Sequence, residues 1–100
     1  MELRDIEYFS VVAEHGNLGR AAEALGLSTA ALSKSLRRIE ESLQAKLVKR
    51  TPKGIELTAV GAALITHANR LRVSFEDVER EAADLREGRV GDLRVGARPG

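Results

Sequence analysis

Apolar residues near the start of the chain fall at Leu3, Ile6, Phe9 and Val12-Ala13, three or four positions apart, which predicts an amphipathic helix over about residues 3–15. Gly16 then supplies the left-handed conformation that often closes a helix. Asn17 has the side chain of an N-cap, and Ala21, Ala22 and Leu25 give a short second helix ended by Gly26. Ser28 caps a third helix, with Leu27 before the cap and Leu32 at the fourth helical position forming a hydrophobic staple. Along it Leu32, Leu36, Ile39 and Leu43 step by four, three and four, predicting one narrow core stripe.

The period then changes. Leu47-Val48-Lys49-Arg50 and Ile55-Glu56-Leu57 flank Thr51-Pro52-Lys53-Gly54, where Pro presets the second turn position and Gly suits the fourth, so a two-stranded hairpin is expected. Thr58 caps a fourth helix that runs without an internal Pro to about residues 87–88. Its apolar positions Leu64, Ala68, Leu71, Phe75, Val78, Ala82 and Leu85 step alternately by four and three, the heptad register of a helix that packs against a second helix. At ~1.5 Å per residue such a helix is roughly 40–45 Å long, more than a three-helix body can cover, so a partner copy is expected. Residues 93–96 alternate as a short strand would, with nothing here to pair against, and are expected to belong to a further domain. The organisation expected is a body over 1–58, a linker and dimerisation helix over 59–88, and a hinge with the first strand of an absent domain over 89–100.

Composition narrows the chemistry. One hundred residues suit one compact domain, and the absence of Cys removes disulfides, thiolate zinc sites and thiol catalysis. No apolar run approaches the ~20 residues of a membrane span, and no basic-then-apolar leader opens the chain, so a soluble, cytoplasmic protein with no membrane partner is expected. Three aromatics, Tyr8, Phe9 and Phe75, are too few for a base-stacking surface. His15 and His67 have no second ligand at metal spacing and read as structural or surface residues. With neither a phosphate-binding glycine loop nor a nucleophile beside a base, neither an enzyme nor a cofactor is expected.

The formal charge of +1 conceals an uneven distribution. Residues 1–27 carry a net −3 and residues 55–100 a net −1, whereas residues 28–54 hold Lys34, Arg37, Arg38, Lys46, Lys49, Arg50 and Lys53 against Glu40 and Glu41, a net +5. Ala22, Gly26 and Leu32 have the spacing of a helix-turn-helix: a small residue where two helices cross, a glycine for the turn and an apolar anchor on the second helix. With the hairpin this makes a mainly α, winged helix-turn-helix fold, with residues 28–45 as recognition helix. At ~100° per residue, Ala30, Lys34 and Arg37 lie opposite the stripe, with Ser33 and Arg38 at the edges. A helix anchored on one side and small, hydroxylic and basic on the other fits a major groove about 12 Å wide. Arg50 and Lys53 put cations on the wing, within reach of phosphates or the minor groove. Asn17 and Ser33 are candidates for backbone contact, Thr29, Ala30 and Lys34 for base edges, and Arg37, Arg50 and Lys53 for phosphates. Ser28 and Arg38 complete the candidate DNA-binding set.

Residues 1–88 resemble the DNA-binding domain and linker helix of the LysR-type transcriptional regulators. The resemblance rests on Leu3-Arg4 with Tyr8-Phe9, Val12-Ala13-Glu14, Arg20-Ala21-Ala22, Leu25, Ala31-Leu32-Ser33, Ile39-Glu40, Leu47, Arg50-Thr51, and Leu57-Thr58 followed by Gly61. It implies sequence-specific binding of double-stranded DNA at a pseudo-palindromic operator and a homodimer or higher homo-oligomer formed through the linker helices. It also implies a small-molecule inducer bound only by the missing C-terminal domain. The chain departs from the usual family pattern where Ser28-Thr29-Ala30 replaces Ser-Gln-Pro, Lys34 replaces Arg, Val48 replaces Phe, and Gln44 replaces a helix-ending Gly. Thr29 offers one hydroxyl or a methyl contact where Gln would pair bidentately with adenine, and Lys34 keeps the charge without the guanidinium fork.

Plainer readings stand beside these. The basic block can be a solvated helix face, the heptad an ordinary intramolecular contact, and Glu40 and Glu41 surface partners of Arg37 and Arg38. At the level of function, the alternatives are a non-specific architectural DNA-binding protein and a helix-turn-helix assembly module that binds no DNA.

Overall fold

Capping chemistry sets the helix ends. The computed structural model describes residues 1–88, and in it α1 (Leu3–His15) closes at Gly16, φ 65°, whose N–H donates to the Val12 carbonyl at 2.9 Å. Helix α2 (Leu18–Leu25) begins at Asn17, whose Oδ1 accepts from the Arg20 N–H at 2.8 Å, and ends at Gly26 with φ 70°. Helix α3 (Thr29–Leu43) begins with Ser28 Oγ accepting from the Ala31 N–H at 3.0 Å. It closes on Gln44, at φ 54° the one non-glycine residue of positive φ among those described.

Strands β1 (Val48–Thr51) and β2 (Gly54–Leu57) pair antiparallel, with Thr51 opposite Gly54 and Val48 opposite Leu57. Pro52 and Lys53 form the turn between them. Helix α4 (Ala59–Arg86) follows directly. Thr58 Oγ1 accepts from the Gly61 N–H at 3.1 Å and donates to the Lys46 carbonyl at 2.6 Å, tying the start of α4 to the entry of the hairpin. Three helices, a two-stranded wing and a long final helix make the mainly α, winged helix-turn-helix architecture expected from periodicity. The residues for which a further strand was expected, 93–96, lie outside those described. Among the described residues no helix is long and apolar enough to cross a membrane.

The first compact unit is Met1–Ala68. Its core joins Phe9 and Val12 of α1, Ala21 and Ala22 of α2, Leu32, Leu36 and Ile39 of α3, and Leu47 just before β1. The α3 stripe ends one turn earlier than its spacing implies: Leu43 stays 38% exposed, and the buried leucine beyond Ile39 is Leu47. The body also continues past residue 58. Gly61 lies so close to β1's entry that a Cβ there would overlap the Leu47 carbonyl, and Leu64 and Ile65 pack against the core. The second unit begins at Asn69, and within it Leu71, Phe75 and Val78 of α4 are exposed.

Candidate nucleic-acid interface

The turn between α2 and α3 is built by backbone. The Gly26 N–H donates to the Glu23 carbonyl at 3.1 Å and the Leu27 N–H to the Ala22 carbonyl at 2.9 Å, a closure that the left-handed glycine permits. With Ala21 and Ala22 buried, α2 can approach α3 closely. Helix α3 is thereby seated on Leu32, Ser35, Leu36 and Ile39, all buried, and its opposite face is left to solvent.

That outer face carries Thr29, Ala30, Lys34 and Arg37, all exposed, while Ser33 is half-buried at its margin. Arg50 on β1 and Lys53 in the turn are exposed on the wing. Two candidates have oxygens already engaged locally: Asn17 Oδ1 and Ser28 Oγ each cap a helix. The exposed Ala31 and Lys49 belong to the same two surfaces, although Lys49 was counted only within the basic block and neither was a candidate for DNA contact. Lys49 stands opposite Glu56 across the hairpin, so part of its charge is offset.

Arg38 departs most from its expected role. Its Nη2 donates to Asp5 Oδ1 at 2.8 Å and its Nε to Asp5 Oδ2 at 3.2 Å, a two-bond clamp on a carboxylate with 0% exposure. Ser35 Oγ donates to Asp5 Oδ1 at 2.6 Å, and the Glu2 N–H to Oδ2 at 3.1 Å. The Arg38 hydrogen bonds, aided by Ser35 and the Glu2 N–H, hold the Asp5 carboxyl well below the ordinary carboxylate range even though burial acts the other way. Arg38 therefore has a structural task, fixing α3 to the start of α1, that its position on the edge of the outer face did not disclose. The sequence signal was available only as an acidic residue on the side of α1 that buries Phe9 and Val12; Leu3, expected on that side, is exposed.

Glu40 corrects a second expectation. It is no surface partner of Arg37: Oε2 accepts from the Leu47 N–H at 3.0 Å and Oε1 lies 3.8 Å from Lys46 Nζ. This carboxylate ties the last turns of α3 to the first residue before the wing. Of the seven heptad positions, Leu64 packs on the core of the first unit and Ala68 is buried in that unit, so neither presents the free face that the register suggested. Leu71, Phe75 and Val78 are 49%, 61% and 60% exposed, Ala82 is exposed, and Leu85 is half-buried.

Comparison with known proteins agrees with this architecture. Residues 3–62 match the model of the bacterial regulatory helix-turn-helix proteins of the lysR family. The chain is 39% identical over 98 residues to the SDS degradation transcriptional activation protein of Pseudomonas sp. (strain ATCC 19151), covering 98% of this chain and 32% of that protein. It is similar in structure to the CbnR DNA-binding domain in its DNA complex, with TM-score 0.74 and 36% identity over 85% of this chain and 99% of the other. The BenM DNA-binding domain bound to the catB site 1 DNA gives TM-score 0.82 and 25% identity, covering 91% of this chain and 98% of the other. The chain thus spans about a third of the length of the full-length relative named here and nearly the whole of the two DNA-binding domains. This chain belongs to the lysR family of bacterial regulatory helix-turn-helix proteins.

Proposed function

We propose that this chain is the sequence-specific, double-stranded DNA-binding part of a LysR-type transcription regulator, with a binding rather than a catalytic role. The observation that carries the reading is the solvent face of α3. Exposed Thr29, Ala30, Lys34 and Arg37 stand on a helix whose other side is locked into the core, and exposed Arg50 and Lys53 flank it on the wing. Two solved domains of the same architecture, those of CbnR and BenM, are in complex with DNA, which supports the same use of this surface. Thr29, Ala30 and Lys34 face base edges, Arg37, Arg50 and Lys53 engage phosphates or the minor groove, and Asn17, Ser28 and Ser33 sit at the backbone. Arg38, with Nε and Nη2 given to Asp5, has only its remaining N–H groups for a phosphate.

The second half of the proposal is a homodimer through α4, with Leu71, Phe75, Val78, Ala82 and Leu85 on the pairing side, so that two α3 helices read half-sites in successive major grooves. A small-molecule inducer acts through an effector-binding domain outside these residues. Selection of bound duplexes from a random library tests the reading. The expected result is an enriched consensus of two related half-sites, with unrelated duplex competing poorly. Recovery of unenriched sequence with tight binding favours an architectural role, and no recovered DNA at moderate salt favours an assembly module.

A further inference from the structure

The wing meets the body at its tip as well as at its base. The base is held by Glu40 on the Leu47 N–H and by Thr58, whose N–H donates to the Leu47 carbonyl at 2.9 Å. Near the tip, the Ile55 N–H donates across to the Gly16 carbonyl at 3.3 Å. Beside that bond Gly54 has φ +131°, and a Cβ placed on it would lie 2.7 Å from the same Gly16 oxygen. Side-chain carbons do not sit that close to a backbone oxygen, so any other residue at 54 must move either the wing or the turn. Gly16 is different. A Cβ there meets nothing within 4 Å, so its glycine answers to φ 65° alone.

Resting on the DNA-binding reading above, we infer that the approach of Gly54 to Gly16 is a positioning device that sets the wing's angle, so that Arg50 and Lys53 reach the duplex while α3 is seated in its groove. A two-stranded ribbon is pliable by itself, and among the described residues no third strand pairs with the outer edge of β2 to hold it. The α1–α2 turn takes the place of that strand at one point. Gly54 adjoins Lys53 in the chain, so a displacement there passes directly to the wing's cation. Gly54 is a positioning residue: it acts on DNA only through Arg50 and Lys53.

The test is a salt titration of this chain on a random-sequence duplex, which counts phosphates engaged rather than bases read. Lys53→Ala is expected to reduce the slope of log K against log salt by about one. Gly54→Ala, checked for folding by circular dichroism, is expected to reduce it by about two as both wing cations leave the backbone. Adding Lys53→Ala to Gly54→Ala should then change affinity by less than about twofold. Val12→Ala weakens the core and alters no residue of the wing or of the α1–α2 turn, and its slope and sensitivity to Lys53→Ala should match those of the unaltered chain. Where Gly54→Ala does not fold, Ile55→Pro, which removes the same donor from the edge of β2, is read in its place with the same expectations. A folded variant that keeps the full slope and the full Lys53 effect overturns the inference, as does loss of both in Val12→Ala. An unaltered chain that binds duplex but ignores Lys53→Ala refutes the wing contact and this inference with it. An unaltered chain that binds no duplex defeats the DNA-binding reading itself.

Discussion

Asp5 and Gln44 are ordinary surface residue types placed under unusual constraint. Asp5 accepts hydrogen bonds from Arg38, Ser35 and the Glu2 backbone while fully buried, and its acidity follows mainly from the guanidinium. A carboxyl held below its unfolded value of 3.8 contributes stability that is present above about pH 4 and is lost as the pH falls further. Thermal melts should therefore show the melting temperature dropping below about pH 4, and Asp5→Asn should flatten that drop while lowering stability at neutral pH. A variant whose acid limb matches that of the unaltered chain would assign acid sensitivity to other carboxylates. Gln44 pays a backbone cost at φ 54° that glycine avoids, although its Nε2 recovers a hydrogen bond to the Glu41 carbonyl at 2.9 Å. Gln44→Gly is expected to raise stability by about 0.5–1 kcal/mol in denaturant unfolding. The left-handed cap was legible at Gly16 and Gly26, where the residue type announces the conformation. At position 44 the chain shows only a glutamine, and the closing of α3 by the fold decided its backbone.

At the scale of elements, each contact between neighbours constrains how the recognition surface is offered. Helix α4 can lie on the hairpin entry only because Gly61 leaves room for the Leu47 carbonyl. Gly61→Ala should destabilise the body by about 1–3 kcal/mol, since the obstructing atom is backbone and cannot swing aside. Helix propensity alone favours alanine there, so a gain in stability would contradict the close approach. On α3 the helix position and its buried stripe were readable from four-three spacing, and so was the side facing outward. What each outward residue can do depends on its length and chemistry: Thr29, at the first helical turn, reaches one base at most. Thr29→Ala should change preference at one base position in the selected consensus and leave the salt slope unaltered. An identical consensus for both proteins would remove Thr29 from the readout. The two carboxylates that brace this surface, Asp5 and Glu40, were not legible, because their partners lie 33 and 7 positions away and no local periodicity links them.

For the molecule as a whole, the charge distribution and the heptad matter more than any single contact. A surplus of five positive charges confined to residues 28–54, between acidic flanks, makes cation contact local; in the proposed dimer, specificity would then fall to base contacts and dimer geometry. Exposed Leu71, Phe75 and Val78 form an apolar series on α4 that a second copy would cover. Replacing Leu71 and Phe75 together by Glu is expected to convert a sedimenting dimer to monomer and to weaken operator binding by more than tenfold, as two linked half-site contacts become one. A dimer that persists places association on another surface. The sequence by itself determined where the helices begin, the hairpin turn, the buried stripe of α3 as far as Ile39 and the side of α3 that faces out, because each follows from residues a few positions apart. Only the tertiary structure decided that Arg38 is clamped to a buried carboxylate, that Leu64 belongs to the body, and that Gly54 must lean on Gly16. Those are contacts between residues far apart in the chain, and their energies depend on distance and desolvation, which no spacing along the sequence encodes.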